Sequence, residues 1–156
     1  MMDEGPAVDL LETIRTAWSF TGLEPSRVLD TNLFGNVLVE AVDGAVWRIF
    51  PEELSCEKIA DDRAQFSDLQ KTEDFVLDWE METLVVAAKE KFGALPPGRC
   101  YCFKIPGVLG GAYDVENCAT IAIEKLLAFT GDVAEQVQDV PDGGTIEFQW
   151  IGDDDS

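Results

Sequence analysis

Any chemistry in this sequence has to come from a short list of side chains. There are no histidines, which removes the commonest general base, the Ser-His and Cys-His nucleophile pairs and most zinc sites. Four cysteines stand at 56, 100, 102 and 118, without a CxxC pair. Cys100 and Cys102 fall two apart on one strand face, poor geometry for a four-ligand zinc cage, and either would need a route to thiolate without a histidine base. They read as reduced, mostly buried thiols. Lys104 lies in a short, mostly apolar strand that runs into glycines 107, 110 and 111. A lysine there can hold an anion or act catalytically, although the commoner roles are a solvated tip or a partner for a carboxylate. The glycines lack the spacing and the following Lys-Ser/Thr of a Walker A loop, and they do not match a dinucleotide fingerprint. Paired carboxylates could serve a glycosidase, but among 31 acidic residues any such pair is uninformative. Asp153 to Asp155 do not match an EF-hand loop. No residue is assigned a catalytic role, no cofactor or metal is expected, and a non-enzymatic function is the expectation.

The carboxylates are better candidates for recognition. Glu73, Asp74, Asp78, Glu80 and Glu82 load the start of a long helical stretch, where they also favour the helix dipole. Glu52, Glu53, Glu57, Asp61 and Asp62 flank the exit of a strand meander. Each group has a plain reading as a solvated face and a functional one as a partner surface; Glu57, Asp61 and Asp62 join the helix acids as candidate interface residues. The balance of 31 acidic to 11 basic residues gives a net charge of −20. Such a chain repels phosphate backbones and anionic lipid, so direct nucleic-acid or membrane binding is not expected. It attracts basic partners over about 8 Å at physiological salt. Acidity also serves solubility. Residues 1–7 are acidic without an apolar signal core, and no run of about 18 apolar residues occurs, so a cytoplasmic protein is expected.

The elements that would position these groups can be read in order. Residues 8–20 carry a helical stripe of Val8, Leu11, Ile14 and Trp18, with Gly22 at the stop. Residues 24–32, with Pro25, read as a connector. Residues 34–41 and 46–50 alternate as two strands around a turn at 42–45, Pro51 ends the second, and 57–60 adds a third. Residues 63–70 are helical, and 73–92 form a longer helix with two apolar stripes. Phe75, Trp79 and Val86 make one stripe; Leu77, Met81, Leu84 and Ala88 make the other. The helix is therefore covered on both sides or broken near Asp78. The central strand, 100–105, puts Tyr101, Phe103 and Ile105 on one face and Cys100, Cys102 and Lys104 on the other. A strand at 119–123, a helix at 123–138 and a last strand at 145–151 follow a turn-rich pattern. Gly131 inside the helix implies a kink or a close contact. The 156 residues are expected to form a single α+β domain, a largely antiparallel sheet with helices packed against it, frayed at 1–7 and 152–156.

With these landmarks in place, a resemblance can be stated. Phe34-Gly35-Asn36, Asp43-Gly44 with Trp47, Pro51-Glu52-Glu53 and Asp78-Trp79 occur in sequence. They are followed by Gly98 to Tyr101, Phe103-Lys104-Ile105-Pro106, Leu109-Gly110-Gly111 with Tyr113, Asn117, and Asp139 with Pro141-Asp142-Gly143. Together they resemble the small domain at the C-terminus of bacterial type VI secretion immunity proteins, some of which neutralise DNase effectors. The resemblance spans roughly 30–148. In many relatives a GAD-like domain precedes this one, and a chain of this length is expected to lack a full copy of both. The resemblance implies a binder whose function lies in its surface and transfers no catalytic residue; the net charge of −20 adds the expectation that the partner is a cognate toxin with a basic surface, a nuclease above all. Trp47, Trp79, Tyr101 and Phe103 read as core aromatics beside it. The alternative is a small-ligand-binding or regulatory module built on Lys104, Tyr113 and the glycine loop.

Overall fold

The computed structural model describes residues 5–138, so the expected strand 145–151, the 141–144 turn and the terminal residues lie outside the described residues. Four strands form an antiparallel meander in the order β1-β2-β3-β4: β1 (Pro25–Thr31), β2 (Val37–Ala41), β3 (Val46–Phe50) and β4 (Ser55–Ala60). Strand alternation decides what each face buries. Val37, Val39, Ala41 and Ile49 point to one side, where Leu10 and Ile14 of α1 (Gly5–Ala17), Trp18 just after it, and Leu127 and Ala134 of α5 (Ile123–Gln138) close the core. Leu38, Val46 and Ala60 point to the other, where α2 (Arg63–Leu69) and α3 (Glu73–Glu80) supply Phe66, Phe75 and Trp79. Helices therefore cover both faces of the sheet.

Beside this sandwich, α4 (Glu82–Phe92) packs on a second antiparallel pair, β5 (Arg99–Phe103) and β6 (Cys118–Ala122). Tyr101 and Phe103 meet Phe34, Ala88 and Cys118 on one side of β5. Cys100 and Cys102 meet Ile121 and Leu126 on the other. Both faces of β5 are buried, as befits a strand of near-continuous apolar character. The single α+β fold with antiparallel sheets is as expected.

The contact implied by Gly131 is between α1 and α5. A Cβ at Gly131 would stand 2.7 Å from both the Cβ and the carbonyl oxygen of Ala17. Trp18, fully buried nearby, donates its indole N–H to the Leu127 carbonyl at 3.0 Å. The glycine thus lets two helices approach at backbone distance instead of kinking one of them.

Two elements differ from the sequence reading, and in a third the structure decides between the two readings left open. The 24–32 connector is strand β1, an edge strand whose register slips between Pro25 and Arg27 and again between Val28 and Asp30. Those irregularities erase the period-two pattern by which strands are read. The central strand ends at Phe103, so Ile105 is exposed rather than inward. The 73–92 helix is two helices, broken at Met81, which adopts the left-handed conformation with φ of 46°. The two apolar stripes are explained by this break: Phe75 and Trp79 join the core under the four-stranded sheet, while Met81, Leu84 and Ala88 join the one around Tyr101. Val86 and Leu77, one from each expected stripe, join neither core and are exposed instead.

Candidate partner-binding surface

Helix α3 stands as an acidic ridge on the outer layer. Thr72 caps it, its hydroxyl accepting the Phe75 amide at 3.2 Å, and Glu73 and Asp74 lie exposed in its first turn. Both features complement unpaired N–H groups and the positive end of the helix dipole. Burial of Phe75 and Trp79 fixes the inward side of the helix, and Asp74 and Asp78 then face the solvent side.

Beneath the ridge lies a polar network that the sequence reading did not anticipate. Arg48, on β3 between the inward positions Val46 and Phe50, is only 3% exposed. Its Nη1 donates to Asp78 Oδ2 at 2.7 Å, and its Nε and Nη2 both donate to Asn36 Oδ1, at 3.0 and 2.8 Å. Asn36 Nδ2 in turn donates to Glu52 Oε1 at 2.8 Å. The guanidinium lies 4.3 Å from the Phe50 ring centroid and 5.1 Å from that of Trp79. A buried guanidinium needs this degree of partnering, because an unpaired charge out of water is expensive. Burial pushes the Glu52 carboxyl above its ordinary range, against the lowering effects of backbone and Asn36 hydrogen bonds and of Arg48. The available signal was the alternation itself, which puts an arginine at an inward position of a buried strand.

The candidate interface acids divide accordingly. Asp78 is 66% exposed but is already engaged by Arg48, and so belongs to both the surface and the fold. Asp74 and Asp78 border a groove of about 570 Å³ floored by Phe50, Ile59, Leu69 and Phe75. Glu57 stands opposite Arg48 in the β3–β4 register and is exposed. Glu80 and Glu82 flank Met81 at the break, both exposed. Asp61 and Asp62 have local work: Asp61 pairs with Lys58 at 3.2 Å, and Asp62 caps α2 by accepting the Gln65 amide at 2.8 Å. The structure therefore brings the α3 acids together and ties Asp61 and Asp62 to their own chain.

The glycine loop proves to be close-packed. A Cβ at Gly111 would fall 1.8 Å from the Ile105 carbonyl oxygen. Asn117 stitches the loop, accepting the Ile105 amide and donating to the Ile105 and Ala112 carbonyls at 2.9 and 3.0 Å. Lys104 is exposed, its amide bonded to the Asn117 carbonyl. Tyr113 packs edge-on against Phe103, with centroids 4.8 Å apart. The four cysteines are free thiols. Burial pushes Cys100 up to about 12 and Cys56 and Cys118 up to about 11, so each stays protonated and unreactive at neutral pH. Among the described residues no cluster of three or more metal-ligating side chains is assembled, and no helix is long and apolar enough to cross a membrane.

Residues 60–134 match the family of the T6SS immunity protein Tdi1, C-terminal domain. This is the family expected from the sequence, and the match runs from the end of β4 into α5. It includes α3, the break and the glycine loop. The Tdi1 C-terminal match leaves β1 to β3, and with them Arg48 and Asn36, outside the matched residues. Among solved structures, the fold is similar to that in "Crystal structure of Atu4351 from Agrobacterium tumefaciens", with a TM-score of 0.56 and 16% identity. That likeness covers 81% of this chain and 64% of the other, so this chain spans less than two thirds of that one. Comparison with the curated proteins found no match.

Proposed function

We propose that this protein is an immunity protein that binds a cognate type VI effector, a nuclease, in the cytoplasm and neutralises it by covering its active site or substrate surface. One observation carries the reading beyond the family match: the exposed α3 acids stand on a chain of net charge −20. A nuclease needs a basic surface for phosphates, and carboxylates at matching positions occupy that surface in place of the nucleic acid. No side chain of the scaffold needs to react for this, in keeping with a non-enzymatic role. Association is steered by charge and is faster than the roughly 10⁵–10⁶ M⁻¹s⁻¹ of neutral pairs. Longevity of the complex comes from a few desolvated anchors.

The test is co-expression. Cells producing the effector encoded beside this protein's gene should survive only when the protein is present, and the two should co-purify. Survival without a complex would overturn neutralisation by occlusion.

A further inference from the structure

We infer that the notch at the α3–α4 break is the anchor pocket of the partner interface, receiving an aliphatic or aromatic side chain flanked by lysine or arginine on a basic toxin domain. This rests on the immunity reading above and specifies where and by what chemistry the partner is held. The notch is a groove of about 390 Å³, with Leu77, Met81, Leu84 and Tyr113 as its apolar walls and Glu80 and Glu82 on its rim.

Several independent features make it a receptor for an anchor. Leu77 is 60% exposed and Tyr113 49%, on a surface otherwise dominated by carboxylates. Large apolar side chains left together in water at a concave site mark an interaction surface. The Tyr113 ring is held in advance. It rests edge-on against Phe103, and its Cε1 lies 2.7 Å from where a Gly107 Cβ would be, so only glycine leaves room for it. An aromatic ring fixed before binding loses little entropy on association.

The groove is also built rather than incidental. Left-handed backbone is unfavourable for methionine. It is held from outside by Asn32, whose Nδ2 donates to the Trp79 carbonyl at 2.8 Å and contacts the Met81 sulfur at 3.6 Å. A continuous helix through 81 would remove the turn that places Glu80 and Glu82 on either side of Met81.

The charge at the rim selects the occupant. Asp78, Glu80 and Glu82 line the groove and, among the described residues, no lysine or arginine does. A second copy of this acidic chain would bring carboxylates against carboxylates, whereas a basic domain brings complementary charge. A second groove, of about 450 Å³ between α1 and α5, is also acidic through Glu12, Glu124, Asp132 and Glu135, but it is walled by Ala17, Ala128 and threonines and offers no large apolar contact. It provides the control surface.

The experiment measures binding of the purified, catalytically inactivated toxin domain of the effector encoded beside this gene. Leu77→Ala and Tyr113→Ala should each weaken binding by about 10-fold or more, mostly through faster dissociation. Glu124→Lys with Glu135→Lys on the control groove should leave dissociation unchanged. The melting temperature of the Leu77 variant should stay near that of the parent, since that side chain is largely exposed; the Tyr113 variant also gives up the edge-on contact with Phe103, so its binding is compared at a temperature where its melt shows it folded. If the parent binds tightly and both alanine variants dissociate at the parent rate, the anchor pocket is misplaced while the immunity reading stands. If the parent itself does not bind, the immunity reading falls, and this inference with it.

Discussion

Asp78 holds Arg48 from the solvent side: the two are 2.7 Å apart, yet the arginine side chain is 4% exposed and the aspartate 66%. The same carboxylate therefore helps form the acidic ridge and satisfies a buried cation beneath it. Replacing Arg48 by alanine strands Asn36 and removes the cation stacked against Phe50 and Trp79. A loss of about 3–5 kcal/mol is expected, read from denaturant midpoints at constant m-value.

Charge reversal on the ridge separates binding from folding. Asp74→Lys, Glu80→Lys and Glu82→Lys together should lower the melting temperature only modestly: all three are exposed, and the cost is the first-turn charge that Asp74 and Glu82 give to α3 and α4. Association with a basic effector should slow, and its dependence on salt should flatten. Asp78→Lys should lower the melting temperature more, since it sets a second cation against Arg48. Stopped-flow association alongside thermal melts distinguishes the two outcomes.

Packing at Gly131 is equally testable. The added methyl of Gly131→Ala meets Ala17 atoms at 2.7 Å, and one of them is backbone. The gain in helix propensity, about 1 kcal/mol, is outweighed by overpacking of about 1–3 kcal/mol. Net destabilisation in urea unfolding is the expected result. Stabilisation would mean that α1 and α5 separate at little cost.

The acid limb of stability should carry the signature of Glu52. Its carboxyl is raised above the ordinary value of 4.5 by burial, so between 4.5 and its raised value the folded protein binds the extra proton. Its stabilising contribution is complete below the ordinary value and is lost as pH rises through the raised one. Glu52→Gln keeps an oxygen to accept the Asn36 amide but cannot ionise. The stability of the parent minus that of Glu52→Gln should therefore fall as pH rises from 4.5, the opposite of a carboxylate stabilised in its charged form. A flat or rising difference would contradict the burial assigned to Glu52.

The inward face of β5 sets the stability of the second core. Phe103 is buried and is packed by Phe34 at 5.6 Å and Tyr113 at 4.8 Å between centroids. Phe103→Ala should cost about 3–5 kcal/mol and lower the melting point sharply. It would also release Tyr113 from one side of its seat.

What the sequence made legible follows from periodicity. The β2–β3 hairpin, α5 and the buried pair Tyr101 and Phe103 were readable because their apolar spacing is regular. Strand β1 was not, since its bulges interrupt the alternation. The break at Met81 showed only as two competing stripes, because its cause lies 49 residues away in Asn32. The acids of α3 could be named from sequence, but not that Asp78 answers an arginine on a strand 30 residues earlier. Nor could Leu77 and Tyr113 be joined, since one is on a helix and the other on a loop stitched by Asn117. Local pattern reveals elements, while pairings between distant elements need the fold.

The most direct measurement of the central claim is an inhibition titration of the cognate effector's toxin domain. Its DNA cleavage would be followed at low and at physiological salt as this protein is added. Occlusion by an acidic partner predicts a sharp stoichiometric end point at both salts, reached by association that slows as salt rises. Cleavage that continues at full rate in excess of this protein at low salt would contradict the account.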